Sequence, residues 1–337
     1  MMRTARSSLI VAAALGLSLA SASADELVLK FATLDIPDAH LNVRVHHPWA
    51  ERINQAAKGI FRIQIYDGAT IANQGNIYER VQADVAQIGW GLPDLVAGKF
   101  KLTGVVSLPY LSDNSEASSV AFWRLYKTGL LDSEYDQIVP LKLIVFPQSG
   151  VQFREEPKTL DNLSGLKVVV GGRISSSVMS AMGAAPLAFP IDQYYEVLQR
   201  GTADAVAVGW TAFQPFKLAD VTRYHLEVPL GSAPGYVFMA KSKWNTLPDN
   251  VKQILMDNSG EKESRAFGQF WDQVVKEGKE NTLKDPRHKL LHLSPEQDKA
   301  WRARLNAVTA DWAKSLPGGE KVLATYREIL AKAASGG

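Results

Sequence analysis

No cysteine occurs in the 337 residues, which excludes disulfides, thiolate metal sites and a cysteine nucleophile. Net charge is almost absent as well. The sequence holds 37 Lys and Arg against 35 Asp and Glu. Without Arg3 and Arg6, which lie in the first 24 residues, both counts stand at 35. Such a balance offers no basic surface to nucleic acid, and no nucleic-acid partner is expected. Catalytic signatures are missing too. There is no GxSxG and no HExxH, the six histidines are scattered, and the adjacent His46 and His47 cannot share a helix face. No GxGxxG and no P-loop occur, so nucleotide loops are excluded. Spacing assigns no acidic pair to a cleft. No enzymatic activity, cofactor or metal is expected. Long hydrophobic runs are lacking beyond Leu9–Leu19, and that run is too short to span a bilayer.

What is present begins with an export signal. Arg3 and Arg6 precede the apolar run, and Ala22-Ser23-Ala24 fits a small-x-small cleavage site before Asp25, the pattern of a secretory signal peptide removed after Ala24. The product is expected to be exported, periplasmic and not embedded in the membrane. The remaining length suits two domains of ordinary size. A hydrophobic content of 46% with 21% charged residues describes a globular chain with enough core to dispense with disulfides.

Strands and helices alternate along the chain. The clearest stretch is Leu160–Trp210. A β-branched run, Val168-Val169-Val170, leads into Gly171-Gly172-Arg173, a helix-like segment stops at Gly183, a second stops at Gly201, and a strand Ala205–Val208 ends on Gly209-Trp210. This is the pattern of a parallel sheet with crossover helices, in which ligands sit beyond the strand C-termini. From about Leu247 to Glu277 the pattern is helical, interrupted only by Asp257-Asn258-Ser259, Gly260 and Gly268. A helix of that length crosses from one domain to another.

One frame occurs twice. Ala83-Asp84-Val85-Ala86-Gln87-Ile88-Gly89-Trp90 and Ala203-Asp204-Ala205-Val206-Ala207-Val208-Gly209-Trp210 share A-D-x₄-G-W, and each follows a helix with a Tyr-Glu pair. Two related α/β lobes are implied, each presenting a Gly-Trp strand end. Trp90 and Trp210 then either wall a ligand site or pack between sheet and helix. Gly171-Gly172-Arg173 with Ser175-Ser176-Ser177 is the candidate anion site. Glycine lets backbone N–H groups approach a ligand, the helix N-terminus favours negative charge, and Arg173 can grip a carboxylate bidentately. The alternative for Arg173 is a solvated turn arginine. Arg154 is a second candidate, unless Glu155 and Glu156 neutralise it.

These residues resemble a known family. Trp49-Ala50, Gln82–Trp90, Leu108-Pro109-Tyr110-Leu111, "DNLSGLKVVV" and "YYEVLQRGTADA" are similar to the periplasmic solute-binding proteins of TRAP (tripartite ATP-independent periplasmic) transporters, the DctP-type receptors, over about residues 27–275. The resemblance implies a two-lobed α/β fold of the periplasmic-binding-protein type. Each lobe is expected to be a mixed sheet flanked by helices, and the two to be joined by crossing strands and a long helix. Residues 25–147 with 230–260 are assigned to lobe I, 148–229 with 280–337 to lobe II, and 247–277 to the crossing helix. It further implies an organic-acid ligand and delivery to a membrane permease with a small and a large subunit. Family members commonly place the main carboxylate-clamping arginine where this chain has Val169, and Arg173 is the nearest replacement. The candidate ligand set is Arg173, Trp210, Trp90, Phe213, Gln148, Gln152, Arg154 and Gly172. Two other readings stay open: an exported α/β enzyme with unrecognised catalytic residues, and a two-lobed receptor acting through a protein partner.

Overall fold

The computed structural model describes residues 26–112 and 114–336; the signal-peptide segment lies outside the described residues. The strands are Leu27–Ala32 (β1), Phe61–Tyr66 (β2), Ile88–Gly91 (β3), Ile138–Val145 (β4), Gly150–Phe153 (β5), Lys167–Val170 (β6), Ala185–Ala188 (β7), Ala205–Val208 (β8), Tyr224–Leu226 (β9), Pro234–Ala240 (β10) and Lys289–Leu291 (β11). The helices are His47–Ala57 (α1), Ile77–Gln82 (α2), Ser115–Lys127 (α3), Asp132–Tyr135 (α4), Arg173–Ala181 (α5), Tyr194–Gln199 (α6), Lys241–Thr246 (α7), Asp249–Asp257 (α8), Glu261–Leu283 (α9), Pro295–Ser315 (α10) and Gly319–Ala334 (α11).

Two mixed sheets result, ordered β2-β1-β3-β10-β4 in lobe I and β11-β9-β5-β8-β6-β7 in lobe II. Both faces of each are covered, so the central strands read as continuous apolar runs. In β10, Tyr236, Phe238 and Ala240 face one core while Val237 and Met239 face the other. Burying each of these larger side chains is worth about 1.5–3 kcal/mol. Helices α3 and α11 close one face of the lobe I sheet, and α1, α8 and α9 the other. In lobe II, α5 and the first half of α10 cover one face, with α6 and Trp210 on the other.

Strand direction decides where a cleft can form. The chain passes between lobes at Phe146–Ser149, after β4, and at residues 227–233, before β10. These segments bond to each other through Phe146 N–H to Ala233 O (2.9 Å) and Ser149 N–H to Gly231 O (2.8 Å). In the lobe I sheet, β3 runs antiparallel to β10 with Gly91 opposite Tyr236, so its C-terminal end lies at the crossing. β1 runs parallel to β3 and ends on the same side. In lobe II, Gly150 at the start of β5 pairs with Val208 at the end of β8, and β6 runs parallel to β8. Both sheets therefore direct the C-terminal ends of their parallel strands into the gap between the lobes.

Two sequence expectations are corrected. The helical stretch is not continuous over 247–277. It breaks at Gly260, whose φ of +84° departs from the helix and whose N–H donates to Leu141 O at 2.8 Å. A Cβ at Gly260 would stand 3.3 Å from the Trp123 ring, so the tight approach and the left-handed backbone both require glycine. The long helix is α9. Its Phe267 and Phe270 pack into lobe I, whereas Val275 packs into lobe II. Nor does all of 280–337 belong to lobe II. Trp301 and Leu305 of α10 do, but Trp312, Ala313 and most of α11 enter the lobe I core. At 1.5 Å per residue, the 21 residues of α10 span about 30 Å, enough to leave one lobe and reach the next.

Candidate functional site

The lobe II wall is built where β6 hands over to α5. Val169, where the resemblance implies an arginine, is fully buried in a cluster with Tyr194 and Val206 and carries no charge into the gap. A Cβ on Gly171 would lie 3.0 Å from the Tyr194 hydroxyl, so glycine lets that ring close under the loop. Gly172 is the N-cap of α5 in extended backbone, and its carbonyl accepts the Ser176 N–H at 3.0 Å. Arg173 opens the helix and is exposed, while the next residue, Ile174, packs against cores of both lobes. Asp94 lies across from Arg173, in the short 3₁₀ turn Pro93–Leu95 that follows β3. Water reaches Asp94, but enclosure by protein pushes its carboxyl up to about 6, with the Arg173 guanidinium opposing. The cation and the acid face each other between the lobes.

The lobe I wall follows β1. Asp35 lies three residues beyond that strand's end, and the Trp90 indole N–H donates to its carboxyl. Burial pushes Asp35 up to about 6, the Trp90 hydrogen bond opposes, and the Asp67 charge adds to the rise. Its second oxygen, Oδ2, is buried without a protein partner. The loop beyond is pinned by Asn42, whose Nδ2 donates to Asp35 O (2.8 Å), Ile36 O (3.0 Å) and Asp67 Oδ1 (2.9 Å). Thr33 Oγ1 and His47 Nε2 also meet Asp67, at 3.0 and 3.1 Å. Residues Asn42–His46 form a π-helical turn leading into α1. Such turns are rare and concentrate at functional sites. Asp35 is not among the sequence candidates; its position directly after a parallel strand is the signal that points to it.

The two tryptophans occupy corresponding strand ends but neither is an open wall. Trp90 is 3% exposed. It packs against His46, Phe146 and Phe267 at 5.4, 6.1 and 5.5 Å between ring centroids, and a Cβ on Gly235 would come within 2.7 Å of its ring. Trp210 is 5% exposed, sits 4.6 Å from Phe213 and 4.9 Å from His225, and donates to Glu227 Oε1 at 2.8 Å. Lys279 of α9 completes that link at 2.6 Å from Glu227 Oε2. Phe213 is buried beneath Trp210 rather than in the gap.

The polar candidates separate by strand direction. Gln148, at the start of the crossing, clips the two segments together: Nε2 donates to Ser232 Oγ (2.9 Å) and Oε1 accepts the Gly231 N–H (2.8 Å). Gln152 is locked inside lobe II, donating to Val208 O (2.9 Å) and meeting His225 Nδ1 (2.8 Å), which in turn contacts His288 through its other nitrogen (2.9 Å). Burial drives His225 down to about 3, with His288 adding to the effect, so this pair stays uncharged. Arg154 lies beyond Phe153, which pairs with Ala205 at the start of β8, and its N–H bonds Asp204 O at 3.1 Å. That is the far end of the sheet. The gap therefore receives Arg173, Asp94 and Asp35, with Gln148 at its floor, and not Gln152, Arg154 or Phe213.

A pair of α/β sheets joined by two crossing segments and two spanning helices, with strand C-termini facing each other across a gap, defines the class of two-lobed solute-binding receptors. Within that class the chain belongs to the bacterial extracellular solute-binding proteins, family 7 (DctP), whose profile matches residues 35–315. A TRAP solute-binding protein from Rhodoferax ferrireducens T118, solved with copurified benzoate, superposes with a TM-score of 0.84 at 24% identity, covering 92% of this chain and 99% of that one. A second, from Bordetella bronchiseptica with bound (R)- and (S)-mandelate, gives 0.81 at 22% identity over 91% and 99%. The outer membrane transporter protein TsaT of Comamonas testosteroni is 26% identical over 302 residues, 86% of this chain and 88% of its own length.

Proposed function

We propose that the protein is a periplasmic receptor that captures a small organic anion between its lobes and delivers it to a TRAP membrane permease. The carboxylate is held by Arg173, with the backbone of Gly172 beside it, and the ligand carries an aromatic or apolar body. The observation behind this reading is that Arg173, an exposed cation at a helix N-terminus, stands where both sheets aim their strand ends. Carboxylates in the similar structures from Rhodoferax and Bordetella support the ligand class. The first 24 residues act as an export signal, a reading that rests on Arg3 and Arg6, the apolar run Leu9–Leu19 and Ala22-Ser23-Ala24. The protein binds without turnover. Contacts on both walls favour the closed form, and Gln148 holds the crossing segments around which it closes.

Titrating the purified protein with monocarboxylates, dicarboxylates and aromatic acids tests this, read by tryptophan fluorescence and melting temperature. A bound acid raises stability by mass action. Arg173→Ala should weaken binding by about 2–5 kcal/mol, the cost of truncating one partner of a desolvated charge pair. Turnover of any acid, or Arg173→Ala binding as tightly as wild type, refutes the assignment.

A further inference from the structure

Among the described residues, eight buried side-chain polar atoms lack a protein hydrogen-bond partner, and four of them belong to Asp35, Asn42 and His46. Native proteins leave few such atoms, so a cluster calls for a reason. The cluster lies on the lobe I wall of the gap. Asp35 Oδ2 and Asn42 Oδ1 are both acceptors, and Asn42, fully buried, is tied to the Asp35 backbone by its own Nδ2. His46, also fully buried, lies against the Trp90 ring, whose N–H occupies the Asp35 carboxyl. The π-helical turn produces this arrangement by turning Asn42 and His46 inward together. A cation is a poor fit. Asp67, the nearest additional carboxylate, already accepts from Thr33, Asn42 and His47, which leaves too few oxygens for a hard metal ion. Two acceptor oxygens on one wall, beside an uncharged imidazole with one donor and one acceptor nitrogen, and Arg173 on the other, describe a ligand with different requirements at its two ends.

We propose that Asp35, with Asn42 beside it, is a specificity element of the cleft: it accepts a hydrogen bond from a hydroxyl or amino substituent on the ligand, at the end opposite the carboxylate held by Arg173. This rests on the carboxylate reading above and narrows it. The receptor takes hydroxylated or aminated organic acids in preference to their unsubstituted parents. A hydroxyl-bearing ligand satisfies the acceptors, whereas the parent acid buries them unpaired, and that asymmetry makes a polar site discriminate strongly.

The test is calorimetric titration of the mature chain with two series: benzoate, 3-hydroxybenzoate, 3-aminobenzoate and 3-methoxybenzoate, then butyrate and 4-hydroxybutyrate. The hydroxyl or amino acid of at least one series should bind about tenfold or more tightly than its parent, and the methoxy compound should bind no better than benzoate. In Asp35→Asn and Asp35→Ala, checked for folding by circular dichroism, that preference should fall below about threefold. Equal binding of substituted and parent acids in wild type overturns the inference, as does a preference that survives both substitutions. The two readings separate cleanly. If acids bind in an Arg173-dependent way without discrimination, the receptor assignment stands and the role of Asp35 falls. If no acid binds, both fall.

Discussion

Replacing Asp35 by Asn tests whether the lobe I wall holds a carboxyl out of water. Burial pushes this group from its ordinary 3.8 up to about 6. The folded protein therefore binds the proton more tightly than the unfolded chain. Between those two pH values the folded state carries more protons, and stability falls as pH rises. A displacement of about two pH units corresponds to about 3 kcal/mol, fully expressed above pH 6 and absent below about pH 4. Asparagine stays uncharged and lacks this slope. Its carbonyl still accepts from Trp90, but its amide then sits where Oδ2 was, and an unpartnered buried donor costs about 1 kcal/mol at every pH. The stability of the variant minus that of wild type should run from about −1 kcal/mol at pH 4 to about +2 kcal/mol at pH 7.5. Asp94 and the other titrating groups that do not interact with Asp35 are common to both chains and drop out of the difference; Asp67, whose charge raises Asp35, titrates together with it in wild type alone. Urea unfolding at steps from pH 4 to 8 measures it. A flat difference, or one that declines with pH, refutes the desolvated carboxyl.

Other substitutions probe the frame around the cleft. Gly231 lies in the second crossing segment with φ +108°, and a Cβ there would stand 2.1 Å from Ser107 O. Gly231→Ala should cost about 3 kcal/mol or more by adding overpacking to backbone strain; a melting temperature within a degree or two of wild type contradicts this. Lys142 of β4 is 1% exposed, 3.4 Å from Glu263 and 4.4 Å from the centre of the Trp49 ring, and burial pulls it down to about 7. Glu263 keeps Arg52 at 2.9 Å, so Lys142→Met should stabilise by about 1–3 kcal/mol at pH 6. Between pH 7 and 10.5 the unfolded chain holds a proton that the folded one releases, so wild-type stability rises with pH and the gap narrows. A gap that widens over that range would show that the ammonium is not penalised.

Membership of the solute-binding class was legible because it rests on short-range patterns. Apolar runs with glycine punctuation specify buried strands, and the repeated A-D-x₄-G-W frame places Trp90 and Trp210 at equivalent strand ends before any coordinates. Arg173 was legible for the same reason, since a Gly-Gly-Arg loop between strand and helix has a fixed place relative to its sheet. Local order carries this information because strand period and helix caps are set by neighbours in the chain.

Tertiary structure decided the rest. Gln148, Gln152 and Arg154 lie within seven residues, yet β5 runs antiparallel to β8, so one reaches the crossing, one the interior of lobe II and one the far edge. Gly260 reads as an interruption of one helix, but its positive-φ backbone makes it a break between two. The C-terminal helices are divided between lobes by the length of α10 against the width of the molecule. Asp35 carries no motif at all. What makes it a candidate is desolvation by β1, Trp90 and the π-helical turn, and burial of a charge depends on atoms distant in sequence. The sequence alone determined which strand ends would face the gap between the lobes; only packing determined which side chains there remain free of protein partners.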